Sequence, residues 1–191
     1  ANTFSYSNTT GTTVTFNSNT ASIDMYLPGT AGAYVYKETN RVFSYQPGKS
    51  LLIYTTFVMN PTQDGLRQRV GYFGANNGFF LERSANTASN VSLVKRSTVT
   101  GSTVDTHVDQ LDWNIDTLSS SGINPSGITL NLNYPQILFT QIEWLGVGTT
   151  TMGFVINGNL IPCHKFNHAN RSDSPLGAYM QTACLPIRAE I

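Results

Sequence analysis

The residues best suited to chemistry in this chain are a cysteine and two histidines near its C-terminal end. Cys163, His164 and His168 are donors of the kind that bind zinc, and Asp173 follows them. In a strand, however, neighbouring residues point to opposite faces, and His164 and His168 would lie about 13 Å apart. They could share a metal only if the chain bends between them. We therefore expect histidines that are hydrogen-bonded in loops, with no metal and no cofactor.

Two carboxylates lie inside apolar strands and could serve a glycosidase. Glu82 and Glu143 both flank aromatic residues, and a retaining glycosidase needs two carboxyl groups about 5 Å apart. Nothing in the sequence brings them together, and edge positions or pairing with Arg69 or Arg83 are the expected alternatives. The chain also has no serine elbow and no glycine-rich phosphate loop. We therefore predict no catalytic residues and a protein that is not an enzyme.

The segment from Asp112 to Asp116 begins like a calcium-binding loop, with oxygen ligands at every second position. The sixth position of the motif is Thr117, where the sharp turn needs glycine, and the twelfth is Ile123, where a bidentate glutamate is required. The pattern therefore favours acidic residues that cap turns beside a buried tryptophan.

Two tryptophans, Trp113 and Trp144, could form a platform on which sugar rings stack. Aromatic side chains of an all-β domain also supply much of its core. Both interpretations are open from the sequence.

The two cysteines, Cys163 and Cys184, could pair across neighbouring strands. Two thiols do not make a disulfide framework, and spacing alone cannot position their Cβ atoms. A disulfide and a pair of free thiols both stay open.

The composition excludes several classes of partner. Charged residues make up 12% of the 191 residues, and eleven basic side chains balance eleven acidic ones. No basic stripe exists that could neutralise phosphates, so we expect no nucleic-acid binding. The apolar runs are too short to span a bilayer, so we expect no membrane insertion. A surface with few charges repels its neighbours weakly, which suits packing against other subunits.

Short strands are predicted along the whole chain, because apolar residues recur at every second position between turn residues. The clearest region is Gln136 to Phe166, where Asn157-Gly158 favours a two-residue hairpin turn with positive φ at both positions. The other predicted strands include Ile23–Leu27, Arg41–Tyr45, Leu51–Met59, Gln68–Phe73, Gly78–Glu82, Val91–Val99 and Ile128–Leu132. About twelve strands indicate an all-β, antiparallel β-sandwich of jelly-roll type.

Two regions are less regular. Residues 104–118 carry apolar side chains at helical spacing, but their flanks are β-type, and we favour an extended structure. Residues 1–40 are predicted as a polar N-terminal arm or edge strands, with a disordered leader as the alternative for residues 1–22. Residues 41–191 are predicted as the sandwich domain.

Six sequence stretches form a set with a family resemblance. They are Arg69–Glu82 (RVGYFGANNGFFLE), Asp112–Asn114, Gln141–Gly148 (QIEWLGVG), Gly153–Gly158 (GFVING), His168–Asn170 and Tyr179–Ile191 (YMQTACLPIRAEI). Together they resemble a β-rich module of virion structural proteins from marine tailed phages and large aquatic viruses, over residues 41–191. The resemblance implies a module of a longer virion chain, which agrees with Ala1 as first residue, and it carries over no active site.

The expected function follows from this resemblance and from the lack of reactive groups. We expect an exterior structural component of a virus particle, of the capsid, decoration or fibre kind, that assembles with other copies of itself and with other virion proteins. The alternative is an extracellular carbohydrate-binding or receptor-binding module that recognises a host-surface glycan.

Overall fold

The computed structural model describes residues 4–86, 89–172 and 177–191, and in these the protein is all-β. None of the described residues belongs to a helix long and apolar enough to cross a membrane. The thirteen strands are β1 (Phe4–Asn8), β2 (Thr13–Asn17), β3 (Ser22–Tyr26), β4 (Val35–Thr39), β5 (Leu51–Phe57), β6 (Arg67–Phe73), β7 (Gly78–Ser84), β8 (Val91–Ser97), β9 (Val104–Asp109), β10 (Gln136–Ile142), β11 (Thr150–Ile156), β12 (Asn159–Phe166) and β13 (Ile187–Glu190).

The strands form two large antiparallel sheets and one separate hairpin. The seven-stranded sheet has the order β1-β4-β13-β6-β7-β8-β9, the four-stranded sheet has the order β12-β11-β10-β5, and β2 pairs with β3. The two large sheets pack face to face, so the predicted antiparallel β-sandwich is confirmed. Most neighbours in the sheets are consecutive in sequence, and the jelly-roll type stays a prediction.

One hydrophobic core lies between the two sheets. The seven-stranded sheet contributes alternate residues such as Tyr72, Phe79 and Leu81, and the four-stranded sheet contributes Met152 and Phe154, all of them buried. This alternation follows from the pleat, which sends successive side chains to opposite faces of a strand. The sandwich therefore follows directly from the period-two pattern of the sequence.

The C-terminal strand β13 completes the seven-stranded sheet by entering between β4 and β6. Ala189 is opposite Lys37 on one side and Val70 on the other. Val35 and Ile191 exchange two backbone hydrogen bonds, at 2.8 and 2.9 Å. Through β13, strands β1 and β4 from the first forty residues become the edge of the main sheet. Residues 1–3 lie outside the described residues.

The β10–β12 meander contains the predicted hairpin turn. Asn157 and Gly158 have φ values of 52° and 78°, which confirms the type of turn that this dipeptide favours. Further along, the pairing of β11 with β12 shifts register, so that Met152 is opposite His164 and Gly153 is opposite Pro162. Cys163 is the extra residue of this β-bulge.

Two predicted strands are wrong. In Arg41–Tyr45 only Phe43 makes a bridge, to Leu185, and Ile128–Leu132 has no strand. In the second segment the backbone bonds go to two different loops, from Leu130 N–H to Leu118 O and from Met59 N–H to Leu132 O. These single hydrogen bonds pair the backbone groups without forming a regular ladder with a neighbouring strand. The alternation of side chains in the sequence cannot show whether such a neighbouring strand is present.

Residues 104–118 contain three kinds of structure in succession. The extended prediction is confirmed for β9, after which Gln110–Asp112 forms a turn of 3₁₀ helix. The chain then continues irregularly, and Leu118 has a positive φ of 47°. Of the apolar residues at helical spacing, Leu118 is buried in the core, whereas Val104 and Leu111 are exposed, so the spacing does not mark one buried face.

Gly71 provides a test of how closely the strands of the main sheet approach each other. A Cβ at position 71 would lie 2.4 Å from the backbone oxygen of Phe79. Because a backbone atom cannot rotate away, Gly71→Ala should lower the free energy of unfolding by about 1–3 kcal/mol or more, measured by chemical denaturation. Gly29→Ala, where a Cβ would meet nothing within 4 Å, should change it by less than about 1 kcal/mol. Equal effects of the two substitutions would contradict this explanation.

Candidate functional site

The β2–β3 hairpin is the feature of the molecule that its own chain leaves least covered. Within the part of the chain that the structure describes, these two strands pair only with each other. Their register places Val14 opposite Met25 and Phe16 opposite Ile23. These four residues share one side of the ribbon, and we call them the hairpin face. Phe16 is 69% exposed and Ile23 is 41% exposed, so the hairpin presents apolar groups to solvent.

The base of the hairpin is fixed to the sandwich. Thr9 donates its backbone N–H to Tyr34 O at 3.0 Å, and Tyr34 N–H returns a bond to Thr9 Oγ1 at 3.0 Å. The buried Thr12 hydroxyl donates to Thr9 O at 2.7 Å. Gly11, with a φ of 86°, supplies the turn into β2. The hairpin therefore projects from a defined position.

An open groove of about 540 Å³ lies between the hairpin and the sandwich. Its hairpin wall includes Ile23 and Met25 of the hairpin face. Its opposite wall includes Val58, Leu66 and Ile191. The same walls also carry polar side chains, namely Asp24, Asn60, Gln63 and Gln68, so the groove offers apolar contacts between polar edges.

The outer face of the seven-stranded sheet has the opposite chemistry. Four basic and four acidic side chains join one ion-pair network there: Glu38, Arg67, Arg69, Glu82, Arg96, Asp105, Arg188 and Glu190. Beneath them lies a small apolar cluster of Phe73, Phe80 and Val94, all fully buried. We call this arrangement the charged face.

The arginines of the charged face lie over the aromatic rings. Arg96 lies 5.1 Å from the Phe80 ring centroid, and Arg188 lies 3.5 Å from that of Tyr36, which is cation–π geometry. Burial opposes ionisation of Glu190, but Arg188 and Arg69 outweigh it, and the pKa of Glu190 lies below its usual value. Each of these eight described side chains has a partner of opposite charge, so none of the eight is left for a ligand.

Neither predicted sugar-stacking tryptophan offers an open ring. Trp113 is 1% exposed, stacks on Phe154 in the core and donates its indole N–H to Val108 O. Trp144 is half-buried, packs edge-to-face on Tyr45, and has a buried indole N–H. The platform prediction is wrong for Trp113, because the loop after the 3₁₀ helix turns its ring into the core.

Of the two states that the sequence left open for the cysteines, the structure has the free thiols. Cys163 and Cys184 are both free, the first buried and the second exposed. Burial raises the pKa of the Cys163 thiol, so the thiol stays neutral and acts as a core group. Its backbone oxygen accepts hydrogen bonds from Ile115 and Asp116, which fastens the 113–118 loop to β12.

Both histidines make hydrogen bonds, as the sequence predicted, but His164 lies in strand β12 rather than in a loop. The bulge turns both Cys163 and His164 inward, whereas a regular strand would separate them. His164 Nδ1 accepts the Asn114 N–H at 3.2 Å. His168 stacks on Tyr179 with ring centroids 3.6 Å apart, and its Nδ1 lies 2.7 Å from Gly148 O. No group of three or more potential metal ligands occurs among the described residues, and Asp173 lies outside them.

The two carboxylates considered for catalysis lie at different sheets. Glu82 is buried in the main sheet and accepts from Arg69 Nε at 2.7 Å, as the sequence analysis expected. Glu143 is exposed and follows β10 of the other sheet. Asp116 caps its loop by accepting the N–H groups of Leu118 and Ser126, which confirms a turn-capping role beside the buried Trp113.

The fold and these surfaces define an all-β sandwich with a projecting amphipathic hairpin. No protein-family model, no curated protein and no solved structure matches the chain. The sequence analysis did not identify the charged face, although Arg188 and Glu190 alternate with apolar residues in the last strand. That alternation indicates a strand whose charged side chains all point to one face of the sheet.

Removal of Arg69 should be costly, because it contacts both Glu82 and Glu190 at 2.7 Å. Arg69→Met would leave two carboxylates of the charged face without this cation and should cost about 3–5 kcal/mol of unfolding free energy. Arg67→Met is the matched control, since its half-exposed side chain lies 3.7 Å from Glu82, and should cost less than about 1 kcal/mol. Urea denaturation of both variants would decide, and similar losses would contradict a special role for Arg69.

The buried histidines predict acid sensitivity. Burial lowers the pKa of His164 and of His168 to about 4, from an ordinary value of 6.5. Between these two pH values the unfolded chain binds more protons than the folded chain. The free energy of unfolding is therefore highest above pH 6.5 and falls as the pH drops towards 4. His168→Phe should flatten this dependence of the melting temperature, whereas Tyr179→Phe, which keeps both histidines, should not. A His168→Phe slope equal to that of the wild type would refute the assignment.

Proposed function

We propose that the protein is a structural component of a virus particle, of the capsid, decoration or fibre kind, that acts on the particle exterior through self-assembly. The observation that carries the self-assembly is the β2–β3 hairpin, whose Phe16 and Ile23 are exposed on one apolar side. The virion setting is supported by the sequence stretches that resemble virion structural modules. The rigid sandwich, with its internally matched charges, agrees with a building block.

The partner of the hairpin is a second copy of the same chain. The hairpin face is apolar, and Asp24 is the only charged residue in either strand of the hairpin. Asp24 also lines the groove, but it already accepts hydrogen bonds from Asn17 and Ser22. The tip of one copy, carrying Phe16, can therefore contact Val58, Leu66 and Ile191 in the groove of another without burying a charge that has no partner. A mutual exchange gives a closed dimer, and a one-way exchange gives a ring or a filament.

The energetics favour this contact. An isolated two-stranded hairpin is marginally stable in water. Burial of one Phe or Ile side chain contributes roughly 1.5–3 kcal/mol, and each exchanged hairpin would bury Phe16 and Ile23 together. Other virion proteins could present an equivalent groove, which would extend the same contact to mixed assemblies.

Polar substitution of the hairpin face should weaken association and leave the sandwich intact. The variant carrying Phe16→Thr and Ile23→Thr keeps β-propensity but removes the apolar groups, so its dissociation constant should rise at least about tenfold. Sedimentation velocity over a concentration series would measure this change, and the circular dichroism spectrum would check the fold.

Tyr134→Thr is the matched control, because Tyr134 is 66% exposed and lies outside both the hairpin and the groove. It removes a similar apolar area without touching the hairpin face, so association should be unchanged. A wild-type chain that stays monomeric at every concentration, or a double variant that associates normally, would overturn the proposal.

A further inference from the structure

A small polar pocket opens between residues 89–91, at the start of β8, and residues 130–132. Its volume is about 210 Å³, and its lining includes Thr62, Arg83, Asn90, Gln110 and Asn131. No residue of the β2–β3 hairpin lines it, so the pocket is independent of the proposed assembly contact. The volume lies below the roughly 300–1,000 Å³ of pockets for drug-sized ligands, which limits an occupant to about one ring.

Arg83 differs from the arginines of the charged face. It forms no ion pair with any carboxylate in the described ranges 4–86, 89–172 and 177–191, whereas Arg69, Arg96 and Arg188 each contact at least one. Burial lowers the pKa of the Arg83 guanidinium, as expected for a cation withdrawn from water without a counter-charge. A partly buried guanidinium without a carboxylate partner is stabilised by an anion that enters the pocket.

The guanidinium of Arg83 is held in one orientation. Its Nη1 donates to Met59 O at 3.0 Å and to Asn133 Oδ1 at 2.8 Å. Its Nε is buried and has no hydrogen-bond partner. Neither acceptor, Met59 O or Asn133 Oδ1, carries a charge, so the cation that lines the pocket can pair with a carboxylate.

The rest of the lining is suited to hydroxyl groups. Asn131 Oδ1 accepts the Asn133 N–H at 3.0 Å, which fixes the amide and leaves its NH₂ group as a donor. Asn90 and Thr62 add an amide and a hydroxyl without a second charge. Neutral donors and acceptors around one cation are the complement of a molecule with one carboxylate and several hydroxyls.

We propose that this pocket binds a single carboxylated sugar ring, with the carboxylate paired to Arg83 and the ring hydroxyls facing Thr62, Asn90 and Asn131. The site would give the protein a glycan-recognition function in addition to assembly. It lies at residues other than the two tryptophans that the sequence indicated for sugar stacking.

Isothermal titration calorimetry with galacturonate as the probe tests this proposal on the full chain. Galactose, which lacks the carboxylate, and inorganic sulfate, which lacks the ring, are the comparison probes. Galacturonate should bind at least about tenfold more tightly than either. Arg83→Gln should weaken galacturonate binding by about 10- to 100-fold, because it removes a charge-assisted interaction. Arg41→Gln, an exposed arginine outside the pocket, should leave binding unchanged.

Asn131→Asp gives a second, independent test if Arg83→Gln fails to fold. The substitution is isosteric, keeps the acceptor for Asn133 N–H and introduces a carboxylate beside Arg83, so it should also abolish galacturonate binding. No detectable heat with galacturonate, equal affinity for galactose or for sulfate, or unchanged binding by Asn131→Asp would each overturn the proposal.

Discussion

The insertion of the last strand between β4 and β6 is the constraint on which the rest of the architecture depends. Ion pairs on both sides hold β13 there: Arg69 Nη1 contacts Glu190 at 2.7 Å, and Arg188 contacts Glu38 at 3.0 Å. Without β13, the strands β1 and β4 would have no connection to the main sheet. The base of the hairpin is bonded to that same edge, at Tyr34. The projection of the hairpin therefore depends on ion pairs formed at the opposite end of the chain.

The arginines of the main sheet fall into two groups, those paired with carboxylates on the charged face and Arg83, which lines a pocket. On the charged face each of the four arginines lies within ion-pair distance of a carboxylate, and Phe73 and Phe80 beneath are sealed from water. Such a face gains rigidity and loses reactivity, because every charge already has a partner. Arg83 belongs to the neighbouring position of the same strand as Glu82, yet it points to the other side of the sheet. Glu82 therefore joins the ion pairs of the charged face, whereas Arg83, the next residue, lines a pocket where no carboxylate of the described residues pairs with it.

Most strands could be predicted from the sequence, but the contacts between distant parts of the chain could not. Alternation located β5, β6, β7 and β10–β12, because each buries one face on the common core. It could not show that β13 pairs with β4, since that contact joins residues some 150 positions apart. It also could not place Trp113 and Trp144, because burial of a ring depends on how a loop turns. The bulge at Cys163 is a further case, in which one extra residue reverses the direction that strict alternation predicts.

The distribution of charge also explains why the hairpin stays uncovered. The chain has eleven basic and eleven acidic residues, and four of each are committed to the charged face. Of the charged residues that remain, only Asp24 lies in the strands of the hairpin, where it accepts hydrogen bonds from Asn17 and Ser22. An amphipathic ribbon with an apolar face and almost no charge lowers its free energy most by burying that face. Because the groove beneath the hairpin is open, a second molecule can bury the hairpin face without a rearrangement of the sandwich.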